Sequence, residues 1–379
     1  IPSMEYSYQF SEELQQEWEW TERYATQPEI LAYAEHVVDR FGLGDDIQLN
    51  TKIATAEFSE SASVWTLTDS KGDSCQARYV IAATGCLSVP NFPDLPGLDE
   101  FNGHVYHTGL WPHEGVDLAD KQVAVIGTGS SAIQSLPLIA SQASAVTVFQ
   151  RTPNYSIPAW NEPLAPDYVQ AIKSRYREYR QENWQRGFGA DFGDGGQSAL
   201  EVDDTARLAE YEARWQRGGL AFLAAYNDLV FNEEANDTAR AFFAEKIRDR
   251  LNNSAMADKL IPDTPIGCKR LCVDTDYYET YNQPHVTLVD LHEEPIEMVD
   301  GTGIVTAKRH YEADLLVLAT GFDAMTGALT SIDVTGRAGR HLREKWAEGP
   351  RAYLGLATEG FPNLFMVTGP GSPSVLSNM

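Results

Sequence analysis

The feature that most constrains the fold is an uncharged, β-branched run that ends in a glycine-rich turn. The run Gln122–Ile126 has the composition of a strand buried in a parallel sheet, and it leads directly into Gly127-Thr128-Gly129-Ser130-Ser131-Ala132. A helix is predicted from this turn to about Ser141, followed by a second strand at Ala145–Phe149. In such a βαβ unit the first glycine permits the turn, and the second lets a pyrophosphate approach the helix N-terminus. Ala132 replaces the third glycine and still allows close packing of helix and strand. We therefore predict that residues 127–132 contact a dinucleotide.

The residues after the second strand indicate which dinucleotide binds. An NAD enzyme usually has an acidic residue there, which bonds the ribose 2′-hydroxyl, whereas this chain has Gln150-Arg151-Thr152. A guanidinium at this point would pair with a 2′-phosphate through two charge-assisted hydrogen bonds. The sequence therefore predicts NADPH as the cofactor, with Arg151 and Thr152 in contact with it.

Two further strands end in the same Ala-Thr-Gly sequence, one before and one after the βαβ unit. A strand predicted at Cys75–Ala83 continues into Thr84-Gly85, and the run 314–319 continues into Thr320-Gly321. Glycine at a strand end lets the backbone pass close to a cofactor or a neighbouring strand. The arrangement resembles the crossovers in flavoproteins with two dinucleotide-binding domains. We expect an α/β fold of that type, with Thr84, Gly85, Thr320 and Gly321 at a cofactor.

Size and charge exclude several classes of function. The chain has 379 residues, which is long enough for two domains. Its formal net charge of −26 argues against nucleic acid or an anionic membrane as a partner. No apolar run approaches the ~18–20 residues that span a bilayer, and no signal-peptide pattern is present, so we expect a cytoplasmic protein. The four cysteines match neither a disulfide framework nor a metal site, so free thiols and no metal are expected.

A second motif lies just ahead of the βαβ unit. Phe101, Gly103, His107, Trp111 and Pro112 have the spacing F-x-G-x-x-x-H-x-x-x-W-P. This spacing resembles the fingerprint of Baeyer-Villiger monooxygenases, which use FAD, NADPH and O2 to insert an oxygen atom next to a ketone carbonyl. The resemblance implies a small-molecule ketone as substrate and an ester or lactone as product, formed through a peroxide at flavin C4a. It leaves the identity of the ketone and the oligomeric state open.

A later segment carries the same resemblance. Lys269-Arg270 and the run Tyr277-Tyr278-Glu279-Thr280-Tyr281-Asn282 resemble segments of phenylacetone- and cyclohexanone-type monooxygenases. The resemblance implies that Lys269 adds a second cation at the 2′-phosphate, and that Arg270 faces the flavin and stabilises the peroxide anion. It also implies that His107 and Trp111 lie in the linker between domains and couple domain movement to cofactor position. Ile53 is expected near the flavin adenine.

The resemblance covers nearly the whole chain and predicts its domains. Residues 1–90 are expected in a partial FAD-binding domain, 91–322 in an NADP-binding domain with a helical insertion at about 158–264, and 323–379 in a return to the FAD-binding domain. The glycine-rich stretch 187–196 is predicted to be a loop, and 361–379 resembles a strand and loop beside the flavin. Relatives begin with a glycine-rich FAD motif, which is absent before Val123. We therefore expect an internal fragment of a longer protein, which need not be active by itself.

Three other functions are compatible with parts of the pattern. Flavin monooxygenases that oxygenate nitrogen or sulfur share F-x-G-x-x-x-H but usually lack the equivalent of Trp111-Pro112. A flavin-dependent disulfide reductase requires a close redox pair of the type C-x-x-C or C-x4-C, and the sequence has neither. A protein that only senses NADPH would bind no flavin.

Overall fold

The computed structural model describes residues 1–186, 189–193 and 195–372, so parts of the predicted loop 187–196 and of the segment 361–379 lie outside the described residues. The helices are α1 Ser3–Tyr6, α2 Glu12–Glu17, α3 Gln27–Phe41, α4 Ser130–Ala140, α5 Pro166–Lys173, α6 Tyr176–Gln185, α7 Asp204–Arg217, α8 Glu233–Asp249, α9 Ser254–Leu260, α10 Tyr277–Thr280, α11 Gly327–Thr330 and α12 Leu342–Lys345. The strands are β1 Ile53–Ser59, β2 Val64–Asp69, β3 Ser74–Ala77, β4 Val80–Ala82, β5 His104–His107, β6 Gln122–Ile126, β7 Ala145–Gln150, β8 Ser156–Pro158, β9 Cys272–Asp274, β10 Val286–Asp290, β11 Ile296–Asp300, β12 Gly303–Thr306, β13 His310–Glu312, β14 Leu315–Leu318, β15 Asp333–Thr335 and β16 Leu364–Met366.

The described residues form two compact units. The first unit combines Ile1–Ile30 with Phe92–Thr320, and the second combines Leu31–Asn91 with the described residues from Gly321 onward. The first unit contains the sheets β10-β7-β6-β14-β5, β11-β12-β13 and β8-β9, and the second contains β15-β1-β2-β3 and β16-β4. The assignment of residues to FAD- and NADP-binding domains stays a prediction.

The five-stranded sheet of the first unit is parallel throughout. Val123 and Val125 of β6 pack into the core that contains α4, whereas Ala124 and Ile126 pack on the opposite face with residues of β11, β12 and β13. Side chains alternate between the two faces of a strand, and both faces are covered here. This explains why the run Gln122–Ile126 is uncharged, and it confirms the predicted strand, turn, helix and second strand.

Between β7 and β10 the chain forms the helices α5–α9, whose core is mostly aromatic. The ring of Phe222 stacks on those of Tyr211 and Phe242. It also meets the ring of Phe243 edge-on, with 4.8 Å between the centroids of the Phe222 and Phe243 rings. The sequence over 236–256 is helical in period throughout, which predicts one helix, but the structure forms two, α8 and α9. Asn253 begins the second one, because its side chain accepts the N–H groups of residues 255 and 256, and asparagine in this role favours a helix start.

The second unit is built around a mixed four-stranded sheet. β1, β2 and β3 are antiparallel, and β15 pairs in parallel with β1. Trp65 of β2 is fully buried, and its indole Nε1 donates to the carbonyl of Pro362 at 2.8 Å. This sheet lies over a core that includes Val334, Leu342 and Trp346.

Two strand predictions in the second unit are wrong. The sequence pattern predicts a strand at Ile47–Ile53, but residues 47–52 are not a strand, and β1 begins only at Ile53. The single strand predicted at Cys75–Ala83 is two strands: β3 pairs with β2, whereas β4 pairs in parallel with β16. The sequence pattern predicts extended backbone but carries no information on the partner, which changes within this stretch.

In the described part of the chain, no helix is both long and apolar enough to cross a lipid bilayer. Within the same residues, no three His, Cys, Asp or Glu side chains lie together as metal ligands would.

Candidate active site

Four of the predicted site segments follow four neighbouring strands of the five-stranded sheet. Ile126 pairs with Phe149 on one side and with Leu318 on the other, and Leu318 pairs with His107. Because the strands are parallel, the segments that follow them leave the sheet at one edge. The strand order reverses between β6 and β14, which is where open α/β sheets bind ligands. The structure thus brings together the glycine turn, Arg151-Thr152, Thr320 and the His107 segment.

Gly127 has a structural reason to be glycine. Its φ is +108°, and an added Cβ would lie 2.4 Å from the carbonyl oxygen of Ala319. Its N–H donates to the carbonyl of Phe149 at 3.0 Å. The first glycine of the motif therefore lets the backbone that follows β14 approach the turn.

Gly129 faces open space instead. Its φ is −82°, and no heavy atom lies within 4 Å of an added Cβ. It caps α4, a helix of 11 residues, and has no side chain to accept the first N–H groups. Free N–H groups and the positive end of the helix dipole favour an anion. This cradle fits the pyrophosphate of a dinucleotide, which would occupy the volume that a side chain at Gly129 would fill.

The other residues of the turn support α4. The hydroxyl of Thr128 donates to the carbonyl of Thr152 at 2.9 Å, which ties the turn to the end of β7. Ala132 is 1% exposed and packs in the sheet-facing core, as a small residue must at this position. Ser130 and Ser131 form the first turn of α4, and Ser131 is exposed beside the open space.

Arg151 follows the buried Gln150 at the end of β7 and is exposed. Among the described residues it makes no ion pair and no hydrogen bond through its guanidinium. Arg151 lies at the position where dinucleotide-binding folds contact the ribose, so its exposed and unpaired guanidinium fits a 2′-phosphate.

Lys269 and Arg270 lie in an irregular segment that leads into β9. Both side chains are exposed, and neither forms an ion pair within the described part of the chain. Arg270 lies close to the first residue of the given chain, Ile1, where its positive charge acts.

Cys272 connects this segment to α4, the helix that follows the glycine turn and is called the nucleotide helix below. It is 2% exposed, and its thiol accepts the side-chain amide of Asn154 at 3.2 Å. Burial raises the pKa of Cys272 to about 11, an effect that the neighbouring Ser130 hydroxyl partly offsets. The first turn of α4 and the strand after Arg270 are thus in contact.

His107 is the last residue of β5 rather than part of a free linker. It is 2% exposed, its Nδ1 accepts the N–H of Gly109 at 3.0 Å, and its ring lies 5.2 Å from that of Phe92. Because Nδ1 accepts, the proton of the neutral imidazole is on Nε2. Trp111 is half-buried and packs on Tyr106, with 5.7 Å between ring centroids.

Phe101 and Gly103 have a packing role that the sequence did not reveal. A Cβ on Gly103 would lie 2.2 Å from the carbonyl oxygen of Asp314 and 2.6 Å from the Phe101 ring. Phe101 is buried in the core on the second face of the sheet. The F-x-G pair therefore holds the start of β5 against the residue before β14.

The segments after the two Ala-Thr-Gly repeats pair with each other in the second unit. Asn91 donates to the carbonyl of Gly321 at 2.9 Å, and Asp323 donates to that of Val89 at 2.8 Å. Gly85 and Gly321 have positive φ values of +72° and +81°, so both turns require the freedom of glycine. The hydroxyl of Ser88 donates to the carbonyl of Thr84.

Ile53 is the half-buried first residue of β1, opposite Asp69, in a sheet of the second unit that contains none of the other predicted site residues.

Comparison with known proteins identifies the family. A model described as pyridine nucleotide-disulphide oxidoreductase matches residues 4–187. Cyclopentanone 1,2-monooxygenase of a Comamonas strain is 39% identical over 376 residues, which are 98% of this chain and 68% of that protein. Phenazine N-monooxygenase PhzNO1 of Lysobacter antibioticus is 39% identical over 373 residues, with 98% and 69% covered.

Solved structures agree with these relatives. An oxidised steroid monooxygenase bound to NADP is 52% identical and superposes with a TM-score of 0.95, covering all of this chain and 73% of that one. A complex of OTEMO with FAD and NADP gives a TM-score of 0.96 at 37% identity, over 99% of this chain and 72% of the other. The expected fold, a flavoprotein with two dinucleotide-binding domains, is thereby confirmed, as are FAD and NADPH as cofactors. The chain belongs to the Baeyer-Villiger monooxygenases.

Proposed function

We propose that this enzyme uses NADPH and O2 to convert a ketone into an ester or lactone, with the predicted residues in the roles described below. The observation that carries the proposal is the open cradle at Gly129, which lies on the same sheet edge as Arg151 and the fingerprint residue His107. When bound, NADPH supplies two electrons and FAD the oxygen-activating flavin. One oxygen atom enters the bond beside the carbonyl carbon, and the other leaves as water.

Arg151 and Lys269 select NADPH over NADH in this proposal. Both are exposed cations, and neither is paired with a carboxylate in the described residues. A hydrogen bond to a charged group is worth about 1.5–3 kcal/mol, which is about ten- to a hundredfold in affinity. Arg151→Ala should therefore raise KM for NADPH by about that factor and leave KM for NADH unchanged.

The matched control for this test is Arg177→Ala. Arg177 is an exposed arginine of α6 in the same unit, outside the five-stranded sheet. It should keep the parental preference for NADPH. Equal KM values for the two nucleotides in the parent enzyme would contradict the assignment of Arg151.

Arg270 stabilises the negative charge that develops while oxygen is added to the carbonyl carbon. A guanidinium keeps its charge at any working pH, and preorganised charge of this kind is a large contribution to catalysis. Its exposure and lack of an ion pair among the described residues leave it available for this role. His107 and Trp111 are positioning residues, because His107 is buried and hydrogen-bonded to backbone rather than presented to a substrate.

Arg270→Ala and Arg270→Lys in the FAD-loaded enzyme test this role. We expect NADPH oxidation to persist in Arg270→Ala while ester formation from cyclic and aryl ketones is lost and hydrogen peroxide accumulates. Lysine should restore only part of the product, since an ammonium lacks the planar fork. Parental ester formation by Arg270→Ala would refute the assignment.

Oxygenation of nitrogen or sulfur is the second candidate function. It is favoured by the 39% identity to a phenazine N-monooxygenase, whereas the Trp111-Pro112 pair favours ketone oxidation. A panel of cyclic ketones, aryl ketones, sulfides and aromatic N-heterocycles, assayed for product per NADPH consumed, separates the two. Turnover of heteroatom substrates without any ester formation would replace the first proposal.

The remaining assignments are proposals of the same kind. Thr84, Gly85, Thr320 and Gly321 would contact cofactor through backbone, supported by the positive φ of both glycines. Ile53 is kept only on the strength of its resemblance to relatives. All four cysteines are free, which supports a cytoplasmic location, since thiols stay reduced there.

A further inference from the structure

Lys269 and Arg270 have exposed side chains without ion pairs in the described part of the chain, so their own contacts do not fix their position. The segment 261–271 contains neither helix nor strand. The segment is held by Ile266 and Leu271, which are buried in the aromatic core of the helical region, and by its junction with β9. The N–H of Cys272 donates to the carbonyl of Tyr155 at 3.0 Å, and β9 pairs in parallel with β8.

The β9 strand is also packed against the nucleotide helix. Cys272, Tyr277 and Tyr278 share one buried core with Ile133 and Leu136 of α4. The hydroxyl of Tyr278 also donates to the carbonyl of Asn154. A displacement of β9 would therefore change the distance between Arg270 and the cradle at Gly129.

A buried charged cluster fixes the far end of β9. The carboxylate of Asp274 is fully buried and accepts Nη2 of Arg250 at 2.8 Å, the N–H of Tyr277 at 3.2 Å and the hydroxyl of Ser156. Arg250 also donates to both carboxylate oxygens of Glu279, at 2.6 and 2.7 Å. We name Arg250, Asp274, Glu279 and Ser156 the Arg250 cluster.

The cluster joins four elements at one point. Arg250 follows the last residue of α8, Ser156 begins β8, Asp274 ends β9, and Glu279 lies in α10. The guanidinium also lies over the Tyr278 ring, 4.9 Å from its centroid. Buried ion pairs are poor sources of net stability, because apolar residues of similar volume often serve as well. What they provide is a fixed geometry, since a guanidinium that bridges two carboxylates tolerates little displacement.

We propose that Arg250 is a positioning residue for Arg270 and Lys269, which it places relative to the nucleotide helix through Asp274 and β9. The proposal rests on the proposed roles of Arg270 in oxygenation and of Lys269 at the nucleotide. Arg250 itself touches neither substrate nor cofactor in this account. Its loss should act on catalysis through geometry, and a displacement of about 1 Å can cost on the order of a hundredfold in rate.

The test compares Arg250→Met with Arg250→Lys and Arg214→Met in the FAD-loaded enzyme. Arg214 is a matched control, because it is similarly buried, pairs with Glu210 and donates to the carbonyls of Phe192 and Ala221, and it makes no hydrogen bond or ion pair to β9 among the described residues. For Arg250→Met we expect KM for NADPH to rise and ester formed per NADPH to fall, each about tenfold or more. Arg250→Lys should recover part of both, and Arg214→Met should change neither. A lower melting temperature with parental KM and product yield would show a merely structural role and overturn the proposal.

A double-mutant comparison shows whether the effect passes through Arg270. In the Arg270→Lys background, which keeps measurable ester formation, Arg250→Met should cause a smaller loss of product per NADPH than it does in the parent, because residues that act through one group are not additive. Independent, multiplying losses would overturn the proposal. Arg270→Ala alone reports on the proposed function, since parental product from that variant would refute the role of Arg270 whatever Arg250 does.

Glu279→Gln is a second test of the Arg250 cluster and applies even where Arg250→Met does not fold. Its side chain is 42% exposed, so the charge is removed with little burial penalty, and Asp274 still holds Arg250. We expect a twofold to fivefold loss of product per NADPH, on the order expected for one weakened hydrogen bond. Unchanged yield and unchanged KM in this variant would count against the cluster as a positioning device.

Discussion

The substitutions Gly127→Ala and Gly129→Ala should impair different properties of the enzyme, stability in the first and nucleotide binding in the second. The two glycines are two residues apart in one turn, but their surroundings differ. A Cβ at Gly127 would meet a carbonyl oxygen at 2.4 Å with φ at +108°, whereas a Cβ at Gly129 would meet nothing within 4 Å. Gly127→Ala should therefore impair folding, and Gly129→Ala should impair nucleotide binding.

The magnitudes follow from these surroundings. Strained backbone costs about 1–3 kcal/mol, and a forced overlap in packed structure costs about 1–3 kcal/mol. Gly127→Ala should thus lose about 2–6 kcal/mol of the free energy of unfolding, or roughly 4–11 °C in melting temperature for a cooperative unit of about 260 residues. Gly129→Ala has φ at −82°, which alanine adopts readily, so its melting temperature should stay within about 2 °C of the parent.

NADPH binding should be weakened more by Gly129→Ala than by Gly127→Ala. A methyl group at Gly129 occupies the space in front of the first N–H groups of α4, and charge-assisted hydrogen bonds are worth about 1.5–3 kcal/mol. We expect KM for NADPH to rise about ten- to a hundredfold in Gly129→Ala. The assay is thermal unfolding of the FAD-loaded enzyme with and without NADP, together with initial rates at varied NADPH. A similar loss of melting temperature in both variants, or a parental KM in Gly129→Ala, would refute the reasoning.

Three further predictions concern groups outside the nucleotide turn. Cys272, whose pKa burial raises to about 11, should react with a thiol reagent at pH 8 only after unfolding, whereas the exposed Cys75 should react at once; fast labelling of Cys272 in the native enzyme would contradict its burial. Trp65→Phe removes an indole N–H that donates to a backbone carbonyl at 2.8 Å and should cost about 1–3 kcal/mol in urea unfolding; an unchanged midpoint would show that the bond contributes nothing. A hydrogen bond from Lys246 lowers the pKa of Glu212. The pair therefore adds about 0.2–1 kcal/mol to the free energy of unfolding above the usual carboxyl pKa, and this contribution is lost as the pH falls. The free energies of unfolding of the parent and of Glu212→Gln should therefore converge in acid.

Local features could be predicted from the sequence because their causes are local. The uncharged run at β6, the turn at Gly127 and the helix α4 are determined by residues within one stretch of chain. Arg151 could be placed for the same reason, since the end of β7 follows from the length of the strand. The helix α3, Gln27–Phe41, likewise follows from apolar residues that recur at helical spacing over 29–41.

Features that depend on distant partners could not be predicted. The break between β3 and β4 arises because β4 pairs with β16, almost three hundred positions later in the chain. Arg180 of α6 is buried against the carboxylate of Glu5 at 2.9 Å, a pair for which the sequence gives no spacing signal. Glu279 lies within the run 277–282 that resembles relatives, and Asp274 lies just before it. Their common partner Arg250 is more than twenty residues earlier in the chain, so the sequence does not reveal the pairing.

The fingerprint and the dinucleotide motif meet at one strand, β14. At its start, Gly103 leaves room for the carbonyl oxygen of Asp314, and at its end Gly127 leaves room for that of Ala319. The side chain of Asp314 also accepts the N–H of Gln122 at 2.8 Å, which ties the start of β6 to the same point. The two motifs therefore hold β14 between them, one from β5 and one from β6. Because interiors are close-packed and transmit strain, a movement of β14 that shifts the nucleotide turn must also shift His107, whose strand shares its register. This common strand is the route by which His107, in its proposed positioning role, would affect the cofactor without touching it.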